Sequence, residues 1–189
     1  MVRYIRYIVL KKRRKMKIGV ISDIHDNIAN LEKAIEVLNK EQVDLIFFCG
    51  DLCSSNTLEP FQNLNAPVKA VFGNMDKDRA SILEKLKQSG LNFEYSPEGG
   101  LKWDLELNSK RVAVVHGDNE YFTNNLVNSR ELDFVFSGHT HSPHIKKIGE
   151  TLWINPGPIC GRTGLDKKPI NPSLTIVDLQ TKKAEIVYL

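Results

Sequence analysis

Cysteine is scarce in this chain of 189 residues. Cys49, Cys53 and Cys160 form an odd set without zinc-ribbon spacing, which excludes a disulfide framework and a structural zinc finger. Long apolar runs are missing too. The stretch from Tyr4 to Leu10 is broken by Arg6 and is too short to span a bilayer. A secretory signal is not recognisable, because its cations would precede the apolar stretch and here most of them follow it. Together these absences point to a reducing cytoplasm. No internal repeat, low-complexity tract or linker follows residue 16. The rest of the composition, 41% hydrophobic and 26% charged, is that of an ordinary globular domain and excludes a disordered or collagen-like chain. One domain is expected at this length, able to bury most of its apolar surface.

A net charge of +3 suggests a basic protein and a polyanionic partner. The positions of the charges say otherwise. Residues 1–15 hold Arg3, Arg6, Lys11, Lys12, Arg13, Arg14 and Lys15, seven cations and no acid. Taking 7 from 26 leaves 19 Lys and Arg against 23 Asp and Glu, so residues 16–189 carry −4. That body lacks the cationic footprint of tight nucleic-acid binding. Met16-Lys17-Ile18-Gly19 reads as a start leading directly into a strand. Residues 1–15 are therefore expected to be a basic extension, either disordered or upstream of the native start. A weak electrostatic contact with a membrane or nucleic acid is the other reading of that segment.

From Lys17 onward the pattern alternates. Apolar runs at Lys17 to Ser22, Asp44 to Cys49 and Val68 to Phe72 read as buried strands, with Cys49 as a small core residue. Between them, Asn27 caps a helix with Ile28, Leu31, Ile35 and Leu38 on one face, and Thr57 to Leu64 suits a short helix. A third helix, Asp78 to Gln88, is ended by Gly90. This βαβαβα series implies a parallel sheet. The second half holds many short strands, a hairpin turn at Asn108-Ser109 and one helix near Glu120 to Asn128. That is too many strands for one doubly wound sheet. An α/β architecture of two mixed sheets packed face to face, with helices outside, is expected.

Polar groups follow the carboxyl ends of these strands: Asp23 and His25, Asp51, Asn74, His116, and His139 with His141. Loops in that position are where open α/β sheets hold ligands. A single Asp or His there is an unremarkable turn residue; seven at successive strand ends form a set. Imidazoles mixed with carboxylates, without a thiolate, suit Mn²⁺, Ni²⁺, Fe or Zn²⁺ better than Ca²⁺. Seven ligands exceed the needs of one tetrahedral ion, and two ions sharing a carboxylate would use them all.

The motifs Asp23-Ile24-His25, Gly50-Asp51, Gly73-Asn74-Met75-Asp76, His116-Gly117 and Gly138-His139-Thr140-His141 occur in that order. The chain thereby resembles the calcineurin-like metallophosphoesterase superfamily. Its length, Ser22 to Asn27 and Asn155-Pro156-Gly157 look like the small single-domain archaeal and bacterial phosphodiesterase branch. The resemblance implies a four-layer αββα sandwich over residues 16–189. It also implies that Asp23, His25 and His141 hold one metal and Asn74, His116 and His139 the second, with Asp51 bridging. The implied reaction is attack of a metal-activated water or hydroxide on a phosphodiester, with Asp51, Asn74 and His116 at the catalytic centre.

Several positions narrow this reading. Met75 stands where many members of the superfamily have a His that assists as an acid, so diesters with good leaving groups are the expected substrates. Asn27 is a candidate phosphate donor as well as a helix cap, and Arg162, in a loop with Lys167-Lys168, is a candidate phosphate ligand. Asp26 reads as a turn residue, Asp76 as a metal-site neighbour or a helix cap, and Trp103 and Trp153 as core. His144 has no matching role. A protein-interaction scaffold, like the eukaryotic retromer subunit that this branch resembles, and a nuclease are the competing functions; the sequence leaves oligomeric state open.

Overall fold

In the computed structural model, which describes residues 15–97 and 99–189, strand β1 (Lys17–Ile21) alternates its side chains between two cores. Ile18 and Val20 face one core and Ile21 the other. β1 pairs in parallel with β2 (Leu45–Phe48), which pairs with β3 (Val68–Ala70) and then β4 (Phe93–Tyr95). On the other edge β10 (Ser173–Asp178) and β11 (Lys183–Tyr188) add antiparallel strands, giving the order β11-β10-β1-β2-β3-β4. The second sheet, β5-β6-β7-β9-β8, is also mixed. Its hairpin of β5 (Lys102–Leu107) and β6 (Lys110–Val115) turns through Asn108 and Ser109, both left-handed. β6, β7 (Phe134–Phe136) and β9 (Thr151–Asn155) run parallel, and β8 (His144–Ile148) closes the edge antiparallel to β9.

Three apolar layers hold these sheets. Between the sheets, Val20 and Phe47 pack with Val112, Phe134, Phe136 and Ile154. Outside the first sheet lie α1 (Ile28–Lys40), a 3-10 segment (Ser55–Asn63) and α2 (Arg79–Ser89), represented in its outer core by Leu31, Leu38, Leu58, Phe61 and Ile82. Outside the second sheet α3 (Glu120–Asn128) sets Val127 against Ala113 and Val135. The two packed sheets expected from the strand count, and the αββα layering that the resemblance implies, are the observed fold. Cys49 is a fully buried core residue.

Local chemistry explains the helix ends. Asn27 Oδ1 accepts from Asn30 N at 3.1 Å, and Asp78 caps α2 by accepting from Ser81 N at 3.0 Å. Gly90, at φ +68°, ends α2. The helix expected over Thr57–Leu64 is instead a 3-10 segment, with Pro60 inside it. Residues 1–14 of the basic extension lie outside the described residues. Among the described residues no helix is long and apolar enough to cross a membrane.

Candidate metal centre

The seven residues converge where the parallel strands of both sheets end. Asp23 and His25 follow β1, Asp51 follows β2 and Asn74 follows β3; His116 follows β6, and His139 and His141 follow β7. Two groups form. In one, His25 Nε2 lies 3.1 Å from His141 Nε2, and His141 Nε2 lies 3.4 Å from Asp23 Oδ1. In the other, Asn74 Oδ1 lies 2.9 Å from His116 Nε2 and 3.0 Å from His139 Nδ1. Asp51 stands between them, its Oδ2 at 3.5 Å from both His25 Nε2 and His116 Nε2.

These spacings fit shared cations. Donors about 2.1 Å from one ion sit about 3.0–3.4 Å apart in an octahedron or tetrahedron. The imidazoles are also turned correctly. A carbonyl only accepts, so His116 Nδ1, 2.7 Å from Cys49 O, and His141 Nδ1, 2.6 Å from Arg162 O, each donate there and leave Nε2 for the centre. His25 Nδ1 faces Cys53 Sγ at 3.3 Å, which likewise presents its Nε2.

The electrostatics ask for positive charge. Burial would lower the His116 imidazole, but its bond to Asp51 and the charges of Asp23 and Asp51 outweigh that and raise it to about 9. For His141 burial again pulls downward, and bonds to Asp23 and Cys160 bring it up to about 10. His25 goes the other way, lowered by burial against the pull of Asp51 and Asp23. Burial works against ionised Asp51, yet its bonds with His116 and Met75 N hold its carboxyl below the ordinary value.

Backbone geometry at the centre is unusual. Asp23, His25, Asp51, His139 and His141 all have φ between 45° and 66°, a left-handed conformation sparse for residues other than glycine. Loop-to-loop bonds hold it in place. His139 N donates to both Asp23 carboxylate oxygens at 3.0 and 3.2 Å. Asn155 Nδ2 donates to Gly138 O at 2.7 Å and to Thr140 Oγ1 at 3.1 Å, which is the work of the Asn-Pro-Gly turn. Gly138 and Gly73 are required because a Cβ would collide with Ser22 Oγ in the first case and the Asp51 carboxylate in the second.

Of the two roles expected for Asp76, it fills that of neighbour to the polar centre and not that of helix cap. It is buried and accepts from Asp51 N at 3.1 Å, Cys53 N at 2.8 Å and Gly73 N at 2.7 Å, locking the loops after β2 and β3 together; the α2 cap is Asp78. Asp26 is a left-handed turn residue bonded to Ser54 and Thr57. Asn27 spends Oδ1 on the α1 cap and donates from Nδ2 to Cys160 O at 3.1 Å, leaving one amide hydrogen for a ligand. Trp103 is core, but Trp153 is only half-buried and borders a groove beside His139. His144 stacks edge-on against Trp153.

Two thiols lie closer to the centre than the motif pattern suggests. Cys160 Sγ is 3.9 Å from His141 Nδ1, and His25, His141 and Cys160 donors gather within 4.8 Å. Cys160 sits on the Nδ1 side of that ring, away from Asp23. In the metal-free protein Cys53 is pushed up to about 12, first by burial and then by Asp26, Asp51, Asp76 and Asp23, which keeps it a neutral thiol there. Their proximity depends on the loops closing in space; only the placement of Cys53 two residues after Asp51 hinted at it.

Clustered imidazoles and carboxylates at the strand ends of an αββα sandwich fit the phosphoesterase class. Residues 16–182 match the calcineurin-like phosphoesterase superfamily domain. The chain belongs to that superfamily and is by class a phosphoric ester hydrolase. It is 34% identical over 175 residues to phosphodiesterase MJ0936 of Methanocaldococcus jannaschii, covering 92% of this chain and 99% of that protein. Phosphodiesterase YfcE of Escherichia coli strain K12 is 25% identical over 158 residues, 76% of this chain and 79% of its own. A solved archaeal phosphodiesterase superposes with a TM-score of 0.81 at 32% identity, over 92% of this chain and 100% of that one. Zinc-complexed Vps29 from Entamoeba histolytica shares the fold, with a TM-score of 0.61 at 18% identity over 92% and 98% of the two chains.

Proposed function

We propose that residues 16–189 form a dinuclear-metal phosphodiesterase acting in the cytoplasm on a small-molecule diester. Asp51 Oδ2, equidistant at 3.5 Å from His25 and His116 Nε2, carries this reading, since one carboxylate oxygen serves both ligand groups. Asp23, His25 and His141 would hold one divalent ion and Asn74, His116 and His139 the other, with Mn²⁺ proposed and Ni²⁺, Fe or Zn²⁺ as alternatives. Such ions supply an activated water and neutralise charge on phosphoryl oxygens.

The protein's own groups set the rest. Met75 N donates to Asp51 Oδ1 at 2.7 Å and fixes the bridging carboxylate. The Met75 side chain, 43% exposed, has no proton to give a departing alkoxide. Loss of a general acid typically costs about 10²–10⁴-fold, so alcohols that leave as stable anions, such as phenols, are favoured. A groove of about 1050 Å³ beside Asn74 and His139 includes Met75, Trp153 and Leu165 in its wall, an apolar surface suited to an aryl leaving group. Asp118 and Glu120 border it and disfavour a charged anionic one.

Asp51→Asn should abolish Mn²⁺-dependent hydrolysis of bis(p-nitrophenyl) phosphate while leaving the circular dichroism spectrum unchanged. Full turnover by that variant would refute the bridging role. A wild-type protein inert with each of the four metals would favour the scaffold reading, for which the Vps29 likeness offers the fold alone.

A further inference from the structure

A second cavity, of about 380 Å³, opens on the other side of His141 and is lined by His25, Asp26, Asn27, His141, Arg162 and Lys167 among others. The apolar groove also reaches His141 and Lys167, so the two spaces meet at the centre. Their chemistry differs. The smaller cavity has two cations in its wall, and neither the Arg162 nor the Lys167 side chain makes a hydrogen bond or ion pair among the described residues.

Both cations are placed by a structured loop. Gly161 O accepts from Ile170 N at 3.0 Å, Arg162 bridges Pro169, and Thr163 N donates to Lys168 O at 2.9 Å, making a small hairpin. Its one acid, Asp166, is taken up by Thr163 Oγ1 and by Lys168 Nζ at 2.7 Å, which leaves Lys167 uncompensated. Lys167 is left-handed, at φ +52°. The Arg162 carbonyl accepts from His141 Nδ1 at 2.6 Å, so the residue bearing the guanidinium is fastened to a metal-ligand ring. Asp26 is the cavity's one carboxylate, and its Oδ1 is occupied by Ser54 N at 3.0 Å and by the Ser54 and Thr57 hydroxyls. Asn27 and Ile28 bring the N-terminal end of α1 to the wall, adding roughly half a positive charge.

Two cations and a helix end, less the one charge of Asp26, leave about +1.5 in this wall, beyond the need of the scissile diester, whose single charge the bound divalent ions would neutralise. They match a phosphate monoester, with about −1.5 to −2 at neutral pH. We propose that this cavity binds a second, terminal phosphate on the alcohol that the enzyme retains, opposite the leaving group in the apolar groove. The substrate class is then a phosphodiester whose retained arm is itself phosphorylated. This rests on the phosphodiesterase reading, and its test is separable from that reading.

Two chromogenic diesters with the same leaving group provide the comparison: thymidine 5′-(p-nitrophenyl phosphate) and its 3′-phosphorylated form. The 3′-phosphate should raise kcat/KM about tenfold or more at low salt, an advantage that shrinks as salt is added. In Arg162→Ala/Lys167→Ala the ratio of the two kcat/KM values should fall to within about twofold of one. Calorimetric titration with thymidine 3′,5′-bisphosphate and thymidine 5′-monophosphate gives the same comparison without turnover. Tighter bisphosphate binding by wild type, lost in Lys167→Ala and in the double variant, supports the cavity even if neither diester is hydrolysed, a result that would instead overturn the phosphodiesterase reading. Equal binding by wild type, or a preference that survives both variants, overturns the cavity while leaving diester hydrolysis intact.

Discussion

Removing the Asp76 carboxylate should damage the protein more than its absence from the ligand set suggests. Its oxygens take N–H groups from Asp51, Cys53 and Gly73 at 2.7–3.1 Å, in a position only 2% exposed. Asp76→Ala leaves those three donors without a protein acceptor, at about 1–3 kcal/mol each, or about 3–9 kcal/mol in all. Total stability of a domain is only about 5–15 kcal/mol. At about 2–4 °C per kcal/mol for a domain of this size, the melting midpoint should drop by at least about 6 °C. Asp76→Asn separates hydrogen bonding from packing. Its one oxygen can serve the Asp51 and Gly73 N–H groups, while its amide faces Cys53 N–H and loses that bond, costing about 1–3 kcal/mol. Differential scanning calorimetry of the metal-free proteins should therefore order wild type above Asn above Ala. Because the same bonds fix the loops bearing Asp51 and Asn74, Mn²⁺ affinity by titration should also fall about 10–100-fold in Asp76→Ala. An Ala variant melting within about 2 °C of wild type, or no higher-melting Asn variant, would refute the three-donor account.

Other outcomes follow from the same geometry. Gly73→Ala drives a methyl group into the Asp51 carboxylate, so Mn²⁺ binding measured by calorimetry should weaken by more than tenfold, while Gly90→Ala, with open space around its Cβ position, should bind as wild type does. Stripping metal with a chelator should lower the melting point, because the ligands come from both sheets; at a metal concentration 100 times Kd the linkage is about 2.7 kcal/mol. An unchanged melting curve on adding Mn²⁺ back would count against the assigned ligands. In the metal-free protein His116 and His141 have folded values of about 9 and about 10, above the ordinary 6.5. Their stabilisation is complete below about pH 6.5 and is lost as pH rises through about 9–10, so the midpoint should fall across that window. Lowered His25 has the opposite sign and costs stability as pH falls below 6.5. A midpoint flat from pH 6.5 to 10 would remove the Asp–imidazole pairing from the explanation.

The convergence of the seven candidate ligands was legible in the sequence because each follows an apolar strand, one of β1, β2, β3, β6 and β7. The double sandwich was legible from strand number. What joins the loops was not. His139 N reaches Asp23 across 116 residues of sequence, and Asn155 reaches back to Gly138; no local pattern encodes such partners. The role of Asp76 is hidden for the same reason, since two of its donors lie in the loop after β2. Cys53 and Cys160 look inert by spacing and stand beside imidazoles only after folding. Thr57 to Leu64 reads as a short helix, and its 3-10 winding, with Pro60 inside it, was not legible.

The left-handed backbone at Asp23, His25, Asp51, His139 and His141 restricts how this centre can change over evolutionary time. A replacement there must offer a donor atom and also tolerate positive φ, a pairing met well by Asp, Asn and His and poorly by bulkier or β-branched residues. Each misfit would add about 1–3 kcal/mol of backbone strain to the loss of a ligand. Exchange at these five positions is thereby confined largely to Asp, Asn and His. Wider drift in metal preference is open through neighbours such as Cys53, Cys160 and Asp76, which touch the candidate ligands or their loops without sharing their full chemical constraint.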